Sequence, residues 1–272
     1  MFAPPASSIY NSGMETKRYR AIAKYYDPEN ERLAWLQHDV PFFLRQLPKS
    51  SQDVLELATG TARAAIPIAQ AGHRVVGVDY AQDMLDIARR KRDAVGLTDR
   101  QLTLLHADVM KLELGRKFDW IAIFFNTFLG FTTLAQQDAV LRIVRKHLKP
   151  RGRFWLDIFQ PNLALLASDE SRGIDPGVFY VPEHDRTVYM DVDVKRDPSK
   201  QLQRVAFNYR WFDPRGRERR QRTRFDLTFI FPRELQILLE RNGFIIERLF
   251  GDHDGKDLNA DSPRLIARCR LA

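Results

Sequence analysis

The sequence predicts an α/β fold: a mostly parallel sheet with helices on both faces, followed by an inserted antiparallel β-meander. Three observations carry this. Short apolar runs alternate with longer amphipathic stretches between residues 53 and 159. The runs are almost continuously apolar, as from Trp120 to Phe125, which marks strands buried on both faces. After Pro161 the pattern changes to strand-like segments separated by turn signals.

Residues 1–18 are polar, carry two prolines and show no periodicity, so a flexible arm is expected. A helix is expected over 29–47, with Leu33, Leu36, Val40, Phe43 and Leu47 on one face. Pro41 should kink or bound it. Residues 53–57 (DVLEL) read as the first strand, 62–71 as a helix ending at Gly72, and 74–78 (RVVGV) as the second strand. Residues 82–95 form the next helix, 102–105 the third strand and 118–125 the fourth. A helix over 133–148 stops at Pro150 and Gly152 and leads into a fifth strand, 153–159. Right-handed crossovers then place helices on both faces.

Beyond Pro161, strands are expected at 178–181, 187–195, 202–212 and 217–231. Asp197-Pro198 and Asp213-Pro214-Arg215-Gly216 mark turns between them. The helical pattern returns over 232–242, with Pro232 in the first turn and Gly243 at the C-cap. Two last strands follow, 244–250 and 265–270. The expected organisation is an arm and pocket-covering segment (1–28), a core (29–160), a β-rich insertion (161–231) and a return to the core (232–272).

Composition narrows the function classes. The chain has 272 residues, 44% of them hydrophobic, enough for one sizeable core. Its one cysteine, Cys269, excludes an intrachain disulfide. No signal peptide is read at the N-terminus, and no apolar run approaches the ~20 residues of a membrane span. A cytoplasmic protein without membrane partners is expected. The histidines and single cysteine do not cluster as metal ligands, so no metal is expected. The net charge is +8, and six arginines fall between Arg215 and Arg224. Such a balance fits an arginine-rich surface, and it also admits an anionic partner such as nucleic acid.

The chemistry concentrates at two strand ends. The first strand runs into Glu56-Leu57-Ala58-Thr59-Gly60-Thr61-Ala62-Arg63. Small residues there let the backbone approach a ligand, and the following helix offers unpaired N–H groups. The second strand ends at Asp79, about 20 residues on, where a carboxylate accepts hydrogen bonds from a ribose diol. A nicotinamide-dinucleotide site wants G-x-G-x-x-G, and this turn has one glycine.

VLELATGTAR resembles the first motif of the class I methyltransferases that use S-adenosylmethionine (SAM). VVGVDYAQDML resembles the second, LLHADVMKL the third, FDWIAIFFNTFLGF the fourth and HLKPRGRFWLDIF the fifth. DSPRLIARCR is similar to the family's last strand. The ordered match implies a Rossmann-like class I methyltransferase sheet with SAM as cofactor and S-adenosylhomocysteine (SAH) as product. Carried over by residue, Glu56, Ala58 and Gly60 line the methionine part of SAM, with Arg63 as an added charge. Asp79 holds the ribose, and Tyr80 and Met84 flank the adenine. Asp108 accepts from the adenine amino group beside Val109. Phe125 and Asn126 sit where the fourth strand opens toward the methyl group. IAKYYDPEN resembles a segment of small-molecule N-methyltransferases, which places Tyr26 at the SAM carboxylate or sulfonium, with Tyr19 as a second candidate. Ala58 and Ala62 stand where the family pattern has glycine.

The resemblance implies a small amine acceptor, with the insertion as a lid and a homodimer surface. Catalytic candidates are Tyr26, Asn126 and His184; His184 and His253 lie in loops that could face the pocket. Scaffold roles stay open: a helix cap for Asp79, a turn cap for Asp108, a turn residue at Asn126 and a core aromatic at Tyr26. Two other functions stay open as well: an RNA methyltransferase using the arginine hairpin, and a SAM-binding module without catalysis.

Overall fold

The computed structural model describes the backbone from residue 12, and the side chains from residue 20, to residue 272. Helix α1 spans Ser12–Glu31 and α2 spans Asp39–Gln46. Strand β1 (Asp53–Leu57) is followed by α3 (Ala65–Gln70), β2 (Arg74–Asp79), α4 (Gln82–Ala94), β3 (Leu102–His106) and β4 (Phe118–Ile123). Then come α5 (Leu134–His147), β5 (Leu148–Phe159) and a short α6 (Leu163–Leu166). Strands β6 (Glu170–Val181), β7 (Arg186–Asp197), β8 (Leu202–Phe212) and β9 (Glu218–Thr228) form the insertion. Helix α7 (Pro232–Arg241), β10 (Phe244–Phe250) and β11 (Arg264–Leu271) close the chain.

The main sheet has the order β10-β11-β5-β4-β1-β2-β3. β1 pairs parallel with β2 and β4, and β11 runs antiparallel to both its neighbours. The chain builds outward from β1 in one direction, then returns to build β4 and β5 in the other. Such a reversal opens a crevice at the carboxyl ends of β1 and β4, where α/β sheets hold ligands.

Apolar residues on both faces explain the two helix layers. On one face Phe43 of α2 meets Trp120, Phe124 and Trp155 edge-on, at 5.1–5.6 Å between rings. On the other, Val140, Leu141 and Val144 of α5 and Leu235, Leu238 and Leu239 of α7 pack with Phe118, Phe154 and Phe244.

The insertion is a separate antiparallel sheet in the order β6-β7-β8-β9. Its inward residues on β7, Val188, Met190, Val192 and Val194, are buried, and Tyr189, Asp191, Asp193 and Lys195 alternate with them on the outer face. The buried face rests on Ile22, Ala23 and Tyr25 of α1 and on Ala81 and Met84 at the start of α4.

Four local expectations are corrected. The helix expected over 29–47 is broken: α1 ends at Glu31, Leu33 is extended, and a 3-10 turn spans Ala34–Gln37 before α2. Pro41 lies in the first turn of α2, where its missing N–H costs little. Residues 12–18, expected within a flexible arm, belong to α1, a helix whose Ile22, Ala23 and Tyr25 are covered by the inserted sheet. The helix expected from Ala62 starts at Ala65, since Ala62 has φ +59°. β6 begins at Glu170, earlier than its apolar residues indicate, and shifts register between Ser171 and Ile174 and again between Ile174 and Gly177.

Candidate active site

The turn after β1 is left-handed at every second residue: φ is +57° at Ala58, +55° at Gly60 and +59° at Ala62. These are the three positions where the glycine pattern falls. Alanine in that region is strained by about 1–2 kcal/mol each. Gly60 carries no side chain where Tyr26 closes over it; a Cβ there would sit 4.0 Å from Tyr26 Cε1. The side chain of Thr59 lies against Gly77 of β2, where any Cβ would collide with it at 2.8 Å.

Four acidic side chains surround the turn. The Asp79 carboxylate accepts the Gly60 N–H and the Ala81 N–H, both at 2.8 Å. Burial raises its pKa, against the pull of those backbone hydrogen bonds. Glu56 accepts the Thr59 hydroxyl at 2.6 Å. Burial pushes the Glu56 carboxyl up to about 8, opposed by that hydrogen bond and by the charge of Arg63. Asp39, 1% exposed, takes Arg63 in a two-point pair at 2.9 and 2.5 Å. Helix α1 locks the turn from above: Asp27 accepts the Thr61 hydroxyl at 2.6 Å and Lys91 of α4 at 2.8 Å. Adjacent residues of α1 thus face different partners. Tyr25 packs at a tilt against Tyr209 of the inserted sheet, 4.7 Å between rings, while Tyr26 lies against the turn.

Tyr80, Asp108, Val109, Phe125 and Asn126 follow the carboxyl ends of β2, β3 and β4, and Met84 lies in the first turn of α4. Phe125 and Asn126 both have positive φ, +51° and +63°. The Phe125 ring lies between Trp35, at 5.8 Å, and the Arg63 guanidinium, at 5.6 Å. Asn126 Oδ1 accepts the Phe159 N–H at 2.8 Å, which ties the ends of β4 and β5. Asp108 caps a 3-10 turn by accepting the Met110 N–H at 2.9 Å. Val109 is buried in the main core, and Met84 is buried between α1, α4 and the inserted sheet. The Tyr80 carbonyl lies 2.8 Å from His106 Nε2. His184 is exposed in the β6–β7 turn and lines neither of the two cavities around the crevice. Tyr19 lies outside the residues whose side chains are described.

One of those cavities, about 480 Å³, opens beyond Asn126 and is lined by Trp35, His38, Phe159, Asp252, His253 and Arg264 among others. Two of these, His253 and Arg264, belong to a network of which the sequence points only to His253. Asp157, 1% exposed, accepts Arg264 Nε and Nη2 at 2.9 and 2.6 Å on Oδ1 and pairs with His253 Nε2 at 2.9 Å through Oδ2. Burial alone would raise the Asp157 carboxyl, but the Arg264 charge and the His253 contact hold it below its ordinary value. A signal was present: an acid inside the apolar strand FWLDIF must find a buried partner.

The basic hairpin is largely compensated. Arg217 and Arg219 pair with Asp213, Arg220 with Glu218, and Arg222 with Asp193. Among the described residues, no group of three or more His, Cys, Asp or Glu could hold a metal ion, and no helix is long and apolar enough to cross a membrane.

The strand order, the reversed β11 and the strained turn facing Asp79 define a class I SAM-dependent methyltransferase fold. Residues 54–152 match the family described as a methyltransferase domain. The chain is 28% identical over 167 residues to the cypemycin N-terminal methyltransferase of a Streptomyces species, covering 61% of this chain and 63% of that protein. A SAM-dependent methyltransferase of Clostridium acetobutylicum superposes with a TM-score of 0.72 at 19% identity, over 93% of this chain and 99% of that one. The sugar N-methyltransferase KedS8 of Streptoalloteichus gives 0.66 at 20% identity over the full length of both.

Proposed function

We propose that the protein transfers a methyl group from SAM to the amine nitrogen of a small molecule. The observation that carries this reading is the pairing of two adjoining sites: a left-handed turn bounded by Asp79, Glu56 and Tyr26, and a separate cavity beginning at Asn126. A methyl transfer needs both, one for the donor and one for the acceptor.

The crevice residues suit SAM. Asp79 and Asp108 are acceptors for the ribose diol and the adenine amino group. Tyr80, Met84 and Val109 border the adenine side. Ala58 and Gly60 expose backbone to the methionine part, and Glu56 faces its ammonium, whose charge favours the ionised form that burial opposes. Arg63 and Tyr26 stand toward its carboxylate. Bound SAM supplies a methyl group already activated on a sulfonium, so the protein's task is to align a lone pair with it. Phe125 and Asn126 border the path between the two sites. Two of the similar proteins are named an N-terminal methyltransferase and a sugar N-methyltransferase, and these names support nitrogen as the acceptor atom. The inserted sheet acts as the lid of the pocket, coupled to the turn through Tyr25, Tyr26 and Asp27.

The test is incubation with methyl-labelled SAM and a panel of amino sugars and peptide amines. Label appearing on an amine, with SAH formed in equal amount, is expected. Absence of SAM binding by calorimetry would sink the reading. Binding with no turnover across the panel would favour a non-catalytic SAM-binding module.

A further inference from the structure

We propose that His253 takes the proton from a protonated amine held in the cavity beyond Asn126; this rests on the methyltransferase reading above. At neutral pH an aliphatic amine is an ammonium with no lone pair to offer. A base at the acceptor site makes it a nucleophile.

The geometry singles out His253 for this task. The three N–H contacts from Arg264 and His253 keep Asp157 a carboxylate, and a carboxylate only accepts. In its neutral form the imidazole therefore donates through Nε2 and carries its lone pair on Nδ1. Nδ1 has no hydrogen-bond partner among the described residues, and it is not among the buried atoms left unpaired, so it meets the cavity or its solvent. The ring is fixed: it stacks on Trp35 at 6.2 Å and 9°, its backbone carbonyl accepts Arg45 Nη2 at 3.1 Å, and the residue is only 7% exposed. An acceptor nitrogen on a positioned imidazole, oriented by a buried carboxylate, is the arrangement general bases share.

The other titratable groups on the cavity wall fit the task less well. Asp252 accepts the N–H groups of Asp254 and Lys256, both at 3.0 Å, and pairs with the Lys256 ammonium. His38 is exposed and has no carboxylate behind it. The exposed Asp254 on the same wall attracts a cationic acceptor.

The step balances. The ammonium N–H bond breaks, its electron pair stays on nitrogen, and the proton passes to Nδ1. The freed pair forms the N–C bond as the C–S bond breaks, its pair going to sulfur. The methylated nitrogen carries the positive charge away, and the imidazolium returns its proton to solvent.

The test uses sinefungin, the SAM analogue in which a carbon bearing a primary amine replaces the methylated sulfur. Its amine occupies the place where acceptor nitrogen and methyl group meet. Affinities for SAH and sinefungin are measured by calorimetry on the wild-type protein and on His253→Gln. Glutamine keeps an N–H to pair with Asp157 but has no basic nitrogen. The expected result is unchanged SAH affinity with sinefungin weakened about tenfold or more. Unchanged sinefungin affinity, or an equal loss for both ligands, would overturn the assignment. A wild-type protein that fails to bind SAH would overturn the methyltransferase reading itself, and this proposal with it.

Discussion

The two sheets bury their apolar surface in different ways. The parallel strands of the main sheet are covered on both faces, and rings such as Phe43, Trp120 and Trp155 interlock across it. The inserted sheet buries one face, against α1 and the start of α4. Its outer face is a ladder of charges: Arg222 with Asp193, Arg204 with Asp226, and Asn208 with Asp191. Its attachment adds a few polar contacts, chiefly Tyr209 with Glu29 and Asp175 with Arg32. A region held by one apolar face and a few polar links opens at lower cost than a sheet packed on both sides. The core is therefore the rigid platform, and the insertion is the part that opens first.

The comparison breaks first at Trp155, buried at 1% exposure in the core. Trp155→Ala should cost about 3–5 kcal/mol in urea unfolding. A loss of about 1 kcal/mol would mean the platform is looser than its packing indicates. The next effect belongs to the attachment of the inserted sheet. Tyr209→Phe leaves the Glu29 carboxyl without its hydroxyl donor at a cost of about 1–3 kcal/mol. Hydrogen exchange should rise in β6–β9 and not in β1–β5.

The same contact should respond to pH. Burial pushes Glu29 up to about 7, despite the Tyr209 hydrogen bond and the Arg32 charge, so the folded state holds its proton more tightly than the unfolded chain. The stabilisation is complete below the ordinary carboxyl pKa and is lost as pH rises through about 7. Glu29→Gln should flatten the melting temperature between pH 5 and 8. A slope unchanged by that substitution would remove Glu29 from the account.

Smaller still is the turn. Ala58→Gly should relieve about 1–2 kcal/mol of left-handed strain and lose about 0.5–1 kcal/mol to glycine's extra freedom in the unfolded chain, a net stabilisation of about 0.5–1 kcal/mol. A destabilised Ala58→Gly protein would contradict the strain. Smallest is the outer charge ladder, where Arg222→Ala should shift stability by no more than about 0.5 kcal/mol. A larger loss would show that this face is covered in solution.

The contrast also explains what was legible in the sequence. Almost continuously apolar runs such as Phe118 to Phe125 announce strands buried on both faces, so the strands of the main sheet and their succession along the chain follow from local pattern, while their order in the sheet comes from the structure. The early start of α1's contacts did not, because Ile22 and Tyr25 are buried only by a sheet that begins at Glu170. The helix after β1 was placed three residues early, because alanines at 58 and 62 look helical while the turn holds them left-handed. Asp79 and Glu56 were readable at their strand ends. Asp157, His253 and Arg264 come from three separate segments, and only folding brings them together.

The central claim is that the Asp79-bounded turn is a SAM site. The most direct measurement is calorimetry of SAM binding to the wild-type protein and to Asp79→Ala, with circular dichroism confirming that the variant folds. The wild type should bind SAM and the variant should lose at least about a hundredfold, since two hydrogen bonds to a charged acceptor disappear. A folded Asp79→Ala protein that binds SAM as tightly as the wild type would contradict the assignment.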